Sequence, residues 1–386
     1  TIEKGTQTRR MQTLNMPKVS AQEMASLVFN EKCDISISDE NIDQFVRDVL
    51  KKNKFYRKFQ DYLEFMFAMS GMVIKPYVKD DQIKLSYITA DCFVPLAWEN
   101  DTIQEAVFAS EYKRGDKTYT HLEWHVWEVM NGERVYVIRN ELYETNRHSS
   151  DDIGIKVPLE TLFPELDEEV IIRGLKNPIF IYFKPNTANN IDPQLPLGIP
   201  LYANALDTIK SIDTAFDSFH REFRLGKKRI MLPETMIKTV TDPETGITHR
   251  YFDANDEVYE AFRTSDMDSD KITDISVELR VEEHISAINA LLNLFAMQTG
   301  FSAGTFSFDG QSVKTATEVV SENSKTFKSK KSHETIIEAG LQDVIESILE
   351  IAQLYDLLPN GAIPDDLEIS VSFDDSIVED EKAEIS

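Results

Sequence analysis

The sequence predicts an α+β protein, on three observations. Apolar residues recur at helical spacing near both ends of the chain, they alternate with period two from Gly71 onward, and a second strand-and-turn stretch lies between two amphipathic helical patterns. The opening 68 residues are helical and nearly neutral, with 11 Lys or Arg against 10 Asp or Glu. Asp39 predicts a helix start, because its carboxylate can accept from the free amides of a first turn. Ile42, Phe45, Val46, Val49, Phe55, Phe59, Leu63 and Phe67 continue that helical face.

From Gly71 the chain reads as an antiparallel meander. Val73, Tyr77, Ile83, Leu85, Tyr87, Phe93, Val107 and Tyr112 fall in short runs broken at Lys79-Asp80-Asp81, Asn100-Asp101 and Gly115-Asp116. Asn131-Gly132 predicts a hairpin between His121–Val129 and Val135–Ile138, since both residues tolerate the positive φ of a tight turn. A Pro- and Asn-rich stretch, Asn186–Pro200, closes this part.

Leu201–Arg224 then carries Tyr202, Leu206, Ile209, Ile212, Phe216, Phe219 and Phe223 on one stripe, with Asp207, Asp217, Arg221 and Arg224 away from it. That predicts a rod of roughly 36 Å ended by Gly226. Residues 227–279 return to strand and turn chemistry, with a turn at Asp242–Gly246. Val281–Gln298 is helical again through Ile285, Ile288, Leu292 and Phe295, and Gly300–Asp309 is a loop of Gly, Ser and Phe. Thr315–Leu358 predicts a helix of about 66 Å, polar from Ser321 to Glu334 and apolar-striped beyond. The acidic end, Pro364–Ser386, has nine acidic residues against one Lys and a strand at Leu367–Phe373.

Composition narrows function. With 41% hydrophobic and 28% charged residues over 386 positions, the chain is expected to be a soluble, folded protein. No run approaches the ~20 apolar residues of a membrane span, and Thr1–Arg10 lacks the apolar core of a signal peptide. Cys33 and Cys92 are too few for a disulfide framework, which fits a reducing cytoplasm. The formal charge of −26 is the reverse of the basic footprint of a tight nucleic-acid binder. Thr1 is not an initiator Met and the chain stops in an acidic run, which predicts trimmed ends.

Chemistry-bearing motifs are sparse: there is no Walker motif, dinucleotide fingerprint, nucleophile elbow or zincin motif. His121, Glu123 and His125 alternate onto one strand face and are the best metal candidate; the plainer reading is a solvent-facing row opposite Leu122, Trp124 and Val126. The paired acids Asp80-Asp81, Asp365-Asp366 and Asp374-Asp375 read as solvated surface. Lys227, Lys228 and Arg229 follow the first long helix, where cations either contact phosphate or offset the negative end of the helix dipole.

Three segments carry a family resemblance. Arg9–Cys33 (RRMQTLNMPKVSAQEMASLVFNEKC), Leu195–Pro233 (LPLGIPLYANALDTIKSIDTAFDSFHREFRLGKKRIMLP) and Thr299–Phe327 (TGFSAGTFSFDGQSVKTATEVVSENSKTF) are similar, in order, to portal proteins of tailed phages infecting Gram-positive bacteria, of the branch found in Listeria and related phages. The resemblance implies an α+β phage portal fold with an α/β wing, paired stem helices, a β-rich clip insert, a tunnel loop and a long C-terminal helix. On this sequence it implies a wing over 1–200, stem helices at 201–225 and 281–299, and a clip at 226–280. It further implies a tunnel loop at 300–314, a long crown-leading helix at 315–358 and a truncated acidic segment at 359–386.

The same resemblance implies a homo-oligomeric ring, typically of twelve subunits, at one capsid vertex, with host cytoplasm as the place of assembly. The ring is expected to be the channel for double-stranded DNA packaging and ejection. Its implied partners are the DNA, held weakly and without sequence preference, the terminase large subunit, a head-tail adaptor, and the major capsid and scaffolding proteins. DNA-facing positions are expected at Ser302, Gly304, Ser307, Asp309, Gln311 and Lys314, and a partner or DNA contact at Lys227, Lys228 and Arg229. No enzyme activity, cofactor, metal or membrane is implied. The competing expectations are a metal-dependent hydrolase using His121, Glu123 and His125, and another capsid or adaptor subunit.

Overall fold

The computed structural model describes residues 9–29, 33–146, 153–226, 230–231, 238–241, 243, 245–246, 248–251, 273–274, 278–308, 316–359, 361–364 and 366–373. The chain divides into two compact units, one made of residues 15–209 with 293–386 and the other of 1–14 with 210–292.

The larger unit begins with helix α1 (Met16–Val28), strand β1 (Asp34–Ile37) and helices α2 (Glu40–Lys52) and α3 (Phe55–Met69). Asp39 caps α2 as expected, accepting from the amides of Asn41 at 2.9 Å and Ile42 at 3.0 Å. The apolar run that reads as one helix is two. Asn53 is buried where the break falls, donating to Val49 O and Ile83 O and accepting from the amide of Leu85. Lys54 follows at φ 54°. A side chain committed to three backbone groups outweighs one more helical turn.

Strands β2 (Met72–Lys79) and β3 (Gln82–Thr89) form a hairpin across Asp80 and Asp81, both at positive φ, and β10 (Ile181–Phe183) pairs with β2. The meander follows the predicted breaks: β4 (Phe93–Glu99), β5 (Thr102–Arg114), β6 (Lys117–Met130), β7 (Glu133–Asn146) and β8 (Ile155–Val157) are hydrogen-bonded in that order, and β9 (Glu169–Ile172) also pairs with β7. The Asn131-Gly132 turn, with φ of 52° and 82°, sets a register running from Met130↔Glu133 to Lys117↔Asn146.

Helix α6 (Ala316–Leu354) supplies the other half of the core, and strand β15 (Ile369–Ser372) pairs antiparallel with β1. Phe29, Phe55, Phe59, Phe67 and Phe183 pack with Leu341, Val344, Ile345 and Ile348 of α6. Gly340 is required in the α6 face, since a Cβ there would meet the Phe183 ring at 2.5 Å. At 39 residues α6 measures about 58 Å rather than 66. Its polar half is not wholly solvated: Lys330, His333 and Glu334 are buried, with Glu334 paired to Lys330 at 3.2 Å.

The smaller unit is built on α4 (Leu206–Leu225) and α5 (Val281–Gln298), whose ends at Ile209 and Leu292 continue into the larger one. The helix expected from Leu201 starts five residues later, after a short 3-10 turn at Ala203–Ala205, so α4 is about 30 Å long. Between the helices lie β11 (Ile230–Met231), which pairs with β14 (Thr273–Asp274), and β12 (Lys238–Thr241), which pairs with β13 (Thr248–Tyr251). Strand chemistry between the two helices is thus observed where the sequence placed it.

Candidate functional site

Three places were expected to carry function: the helix pair with its β insert, the loop after α5, and the His121–Glu123–His125 row. In the helix pair, Glu222 near the end of α4 accepts from Arg280 Nε at 2.9 Å and Nη2 at 2.8 Å, and from His284 Nε2 at 3.1 Å. These donors hold the Glu222 carboxyl down to about 2. The Phe219 ring lies tilted against His284 at 5.5 Å between ring centroids, so an apolar contact and an ionic one fasten the same turn.

Asp217, expected away from the apolar stripe as an exposed residue, is buried instead. It accepts two bonds from the Arg9 guanidinium and one from the amide of Gln12, while Asp213 accepts from the amide of Leu14 at 3.1 Å. Arg9 holds Asp217 well below the usual carboxylate range. Residues 9–14 therefore run along α4. The spacing of Asp213 and Asp217, four apart on one helix face, was the available signal; nothing in the sequence named their partners.

The loop after α5 begins as a helix cap. Gly300 stands at φ 85°, and the amide of Phe301 donates back to Ala296 O at 2.8 Å, the six-to-one bond of a Schellman ending. Phe301 is fully buried and packs on Phe306 at 5.0 Å, and Phe306 lies 5.7 Å from Phe295. Ser302, expected to face DNA, is 2% exposed and exchanges hydrogen bonds with Thr326 of α6: its amide donates to Thr326 Oγ1 at 2.8 Å. Gly304 takes Asn293 Oδ1 on its amide, and Ser307 Oγ donates to Gly304 O. The first half of the loop is thus an anchored turn in which Gly304, Ser307 and Phe308 remain exposed or half-exposed. Asp309, Gln311 and Lys314 lie outside the described residues, as do Lys227, Lys228 and Arg229.

The third place overturns the metal expectation. His121, Glu123 and His125 do share one face of β6, but it is the inward face, not a solvated row: both histidines are buried. Lys75 Nζ sits 2.5 Å from Glu123 Oε2, and His125 Nε2 sits 2.8 Å from Oε1. A neutral His125 donates through Nε2, so its Nδ1 accepts from Tyr136 Oη at 2.9 Å. Ile179 N–H in turn donates to Tyr136 Oη. Burial pushes the His125 imidazole down despite the carboxylate, and Lys75 with His125 holds Glu123 well below the usual carboxylate range.

His121 is separate, donating to Asn140 Oδ1 at 3.0 Å, and burial pushes it down as well. Lys75 occupies the place a cation would take, and among the described residues no group of His, Cys, Asp or Glu is arranged to hold a metal ion. His121, Glu123 and His125 therefore do not form the metal site that the hydrolase reading named.

Residues 3–386 match the family model described as phage portal protein, SPP1 Gp6-like, and the chain belongs to that family. The family is a capsid-associated, structural one. No curated protein in the comparison matches the chain. Among the described residues no helix is long and apolar enough to cross a membrane.

Proposed function

We propose that this chain is the subunit of a ring at one capsid vertex that forms the channel for double-stranded DNA during packaging and ejection. The ring also serves as the docking platform for the terminase large subunit and later for the head-tail adaptor, with the major capsid and scaffolding proteins around it. The observation that carries the reading is the family match over residues 3–386. In this reading residues 1–200 are the wing, 201–225 and 281–299 the stem, 226–280 the clip, 300–314 the tunnel loop, 315–358 the long helix and 359–386 the acidic end. Twelve subunits and the Listeria-phage branch follow from the sequence resemblance.

Two physical features support it. Paired helices fastened at Glu222, Arg280 and His284 make a stiff rod, as a channel wall requires. A charge of −26 limits attractive contacts with phosphates, so that DNA of any sequence can slide. Gly304 and Ser307, with Asp309, Gln311 and Lys314 beyond them, are proposed to meet the passing backbone, and Lys227, Lys228 and Arg229 the clip partner. Negative-stain images of the purified chain are expected to show rings with a central hole. A compact dimer or monomer at every concentration, by light scattering and by microscopy, overturns the reading.

A further inference from the structure

Two surfaces of the larger unit carry unmatched charge of opposite sign. The first is the junction of α2 and α3, where Lys51, Lys52, Lys54, Arg57 and Lys58 are all exposed within eight residues. No described acidic side chain pairs with any of them; Lys58 lies over the Tyr87 ring, 5.5 Å from its centroid. Lys51 and Lys52 end α2, where the helix dipole welcomes cations. Lys54, Arg57 and Lys58 do the opposite. They occupy the N-cap and first turn of α3, which has no acidic residue there and no side-chain cap. Three cations at the positive end of a helix are a cost to the isolated chain that an anionic partner would remove.

The second surface is a groove of about 320 Å3 in the same unit. Asp343, Glu346, Ser347 and Glu350 follow one another along one face of α6, with Asp101 and Lys184 across from them. Lys184 serves Asp101 at 3.5 Å, and the amide of Lys176 reaches Glu350 at 3.3 Å. Asp343 and Glu346 have no cation among the described residues. Burial in the groove, together with the charge of Glu346, pushes the Asp343 and Glu350 carboxyls up. Independently of the carboxylates, Ser347 is only 6% exposed and its Oγ has no hydrogen-bond partner among the described residues. Among the described residues no group of His, Cys, Asp or Glu, these acids included, is arranged to hold a metal ion. They suit long side chains carrying several N–H donors.

We propose that this groove receives the Lys54, Arg57 and Lys58 side chains of a second copy of the chain, making a head-to-tail contact between neighbouring subunits. The proposal rests on the ring reading above. A cyclic ring joins two different patches of the same chain, as these are. Copies that each carry −26 repel one another, so a contact between them needs a place where the signs oppose, and complementary charge there fixes partner and register. The rival anion for the basic cluster is DNA phosphate. It leaves the groove and Ser347 without a partner, whereas a second copy satisfies both surfaces at once.

The test is a charge exchange on the full chain, read by sedimentation velocity over a concentration series. Arg57→Glu with Lys58→Glu, and separately Asp343→Lys with Glu346→Lys, should each raise the concentration needed for assembly at least roughly tenfold, while the four changes together return it to within about threefold of the parent. All four positions are exposed and Glu suits the first turn of α3 better than Arg or Lys, so thermal melting no lower than the parent's is expected and excludes misfolding. Failure of both pairs to weaken assembly, or loss without rescue, overturns the contact. So do intact rings that have lost duplex DNA retention in the first variant, which assigns the cluster to phosphate.

A second measurement works whatever the ring does. Copies carrying Arg57→Cys are mixed with copies carrying Glu346→Cys, both with Cys33→Ala and Cys92→Ser, and treated with a short bis-maleimide. Cross-links between the two kinds of copy are expected, and their absence sinks the contact. Rings in the micrographs without cross-link or rescue would remove this contact and leave the ring; cross-links without rings would do the reverse.

Discussion

The same three chemical partners are assembled twice in this molecule, once in each unit. Lys75, Glu123 and His125 form a carboxylate held between a cation and an imidazole at 2.5 and 2.8 Å. Arg280, Glu222 and His284 form another, at 2.8 and 3.1 Å. What differs is water. Lys75, Glu123 and His125 are 9%, 22% and 0% exposed, whereas in the helix pair Glu222 and His284 are 15% and 17% exposed but their cation, Arg280, is 66% exposed. Bond lengths alone would rank the two trios together, but burial separates them. In the sheet the ions replaced a hydration shell and must satisfy one another fully, so the circuit closes through Tyr136 and Ile179. At the helix pair the solvent reaches and screens the Arg280 guanidinium, and the trio selects which turns of α4 and α5 meet more than it stabilises them.

The largest effect that would break this comparison comes from Glu123→Gln. It keeps the shape of the side chain and leaves Lys75 charged and buried without a counter-ion, a change expected to cost about 3–5 kcal/mol in denaturant unfolding. Lys75→Met combined with Glu123→Leu should recover most of that loss, because it removes both charges together. A Glu123→Gln variant as stable as the parent would show that water reaches the trio and that the two sites are alike.

These sites also mark what the sequence could and could not reveal. Turn chemistry was legible. Asn131-Gly132 adopts the positive φ its residue types suggested, the breaks read at Asp80-Asp81, Asn100 and Gly115 fall at turns that also have positive φ, Asp39 caps its helix, and α5 runs from Val281 to Gln298 as its periodicity indicated. The facing of a strand was not. Period two placed His121, Glu123 and His125 together, yet Leu122, Trp124 and Val126 are the more apolar row and seemed the buried one. The choice is made by distant residues: Phe108 and Phe180 pack against the His125 ring, and Lys75 arrives from β2 to neutralise Glu123. Long-range ion pairs such as Arg9 with the buried Asp217 are invisible for the same reason, since each partner reads as surface until the other is found 208 positions away. Of the candidate site, the helix, insert, helix and loop succession was legible, whereas the anchoring of Ser302 needed Thr326 of a separate helix.

The next prediction extends the contrast to protons. His333, like His125, is buried; its Nδ1 accepts from the amide of Asn186 at 3.0 Å, and burial pushes its imidazole down to about 4. A histidine whose folded pKa is depressed binds its proton more readily unfolded, so its stabilisation is complete above about 6.5 and is lost as pH falls toward 4. At pH 4 that loss is on the order of 3 kcal/mol for His333 alone. His333→Gln should flatten the stability profile between pH 6.5 and 4 in denaturant titrations. A slope unchanged by that substitution would place the acid sensitivity elsewhere.

The smallest effect is expected at the Glu222 trio, whose cation is exposed, and it is the sharper test of what that trio is for. Glu222→Gln removes the charge but keeps an acceptor near Arg280 and His284, so the global unfolding midpoint should move little. Local order should change more. Glu222, Arg280 and His284 bring the last turns of α4 to the first turn of α5, and Phe219 lies against His284 within that contact. Freed of the ionic clasp, these turns should exchange their amide hydrogens faster than the parent's, while the amides of β6 and β7 keep their protection. Salt should imitate the substitution, because screening acts on exposed pairs and spares buried ones. The parent in 1 M salt should therefore resemble the Glu222→Gln variant in the helix pair and remain unchanged around Glu123. Equal sensitivity to salt in both regions would mean that burial does not separate the two trios.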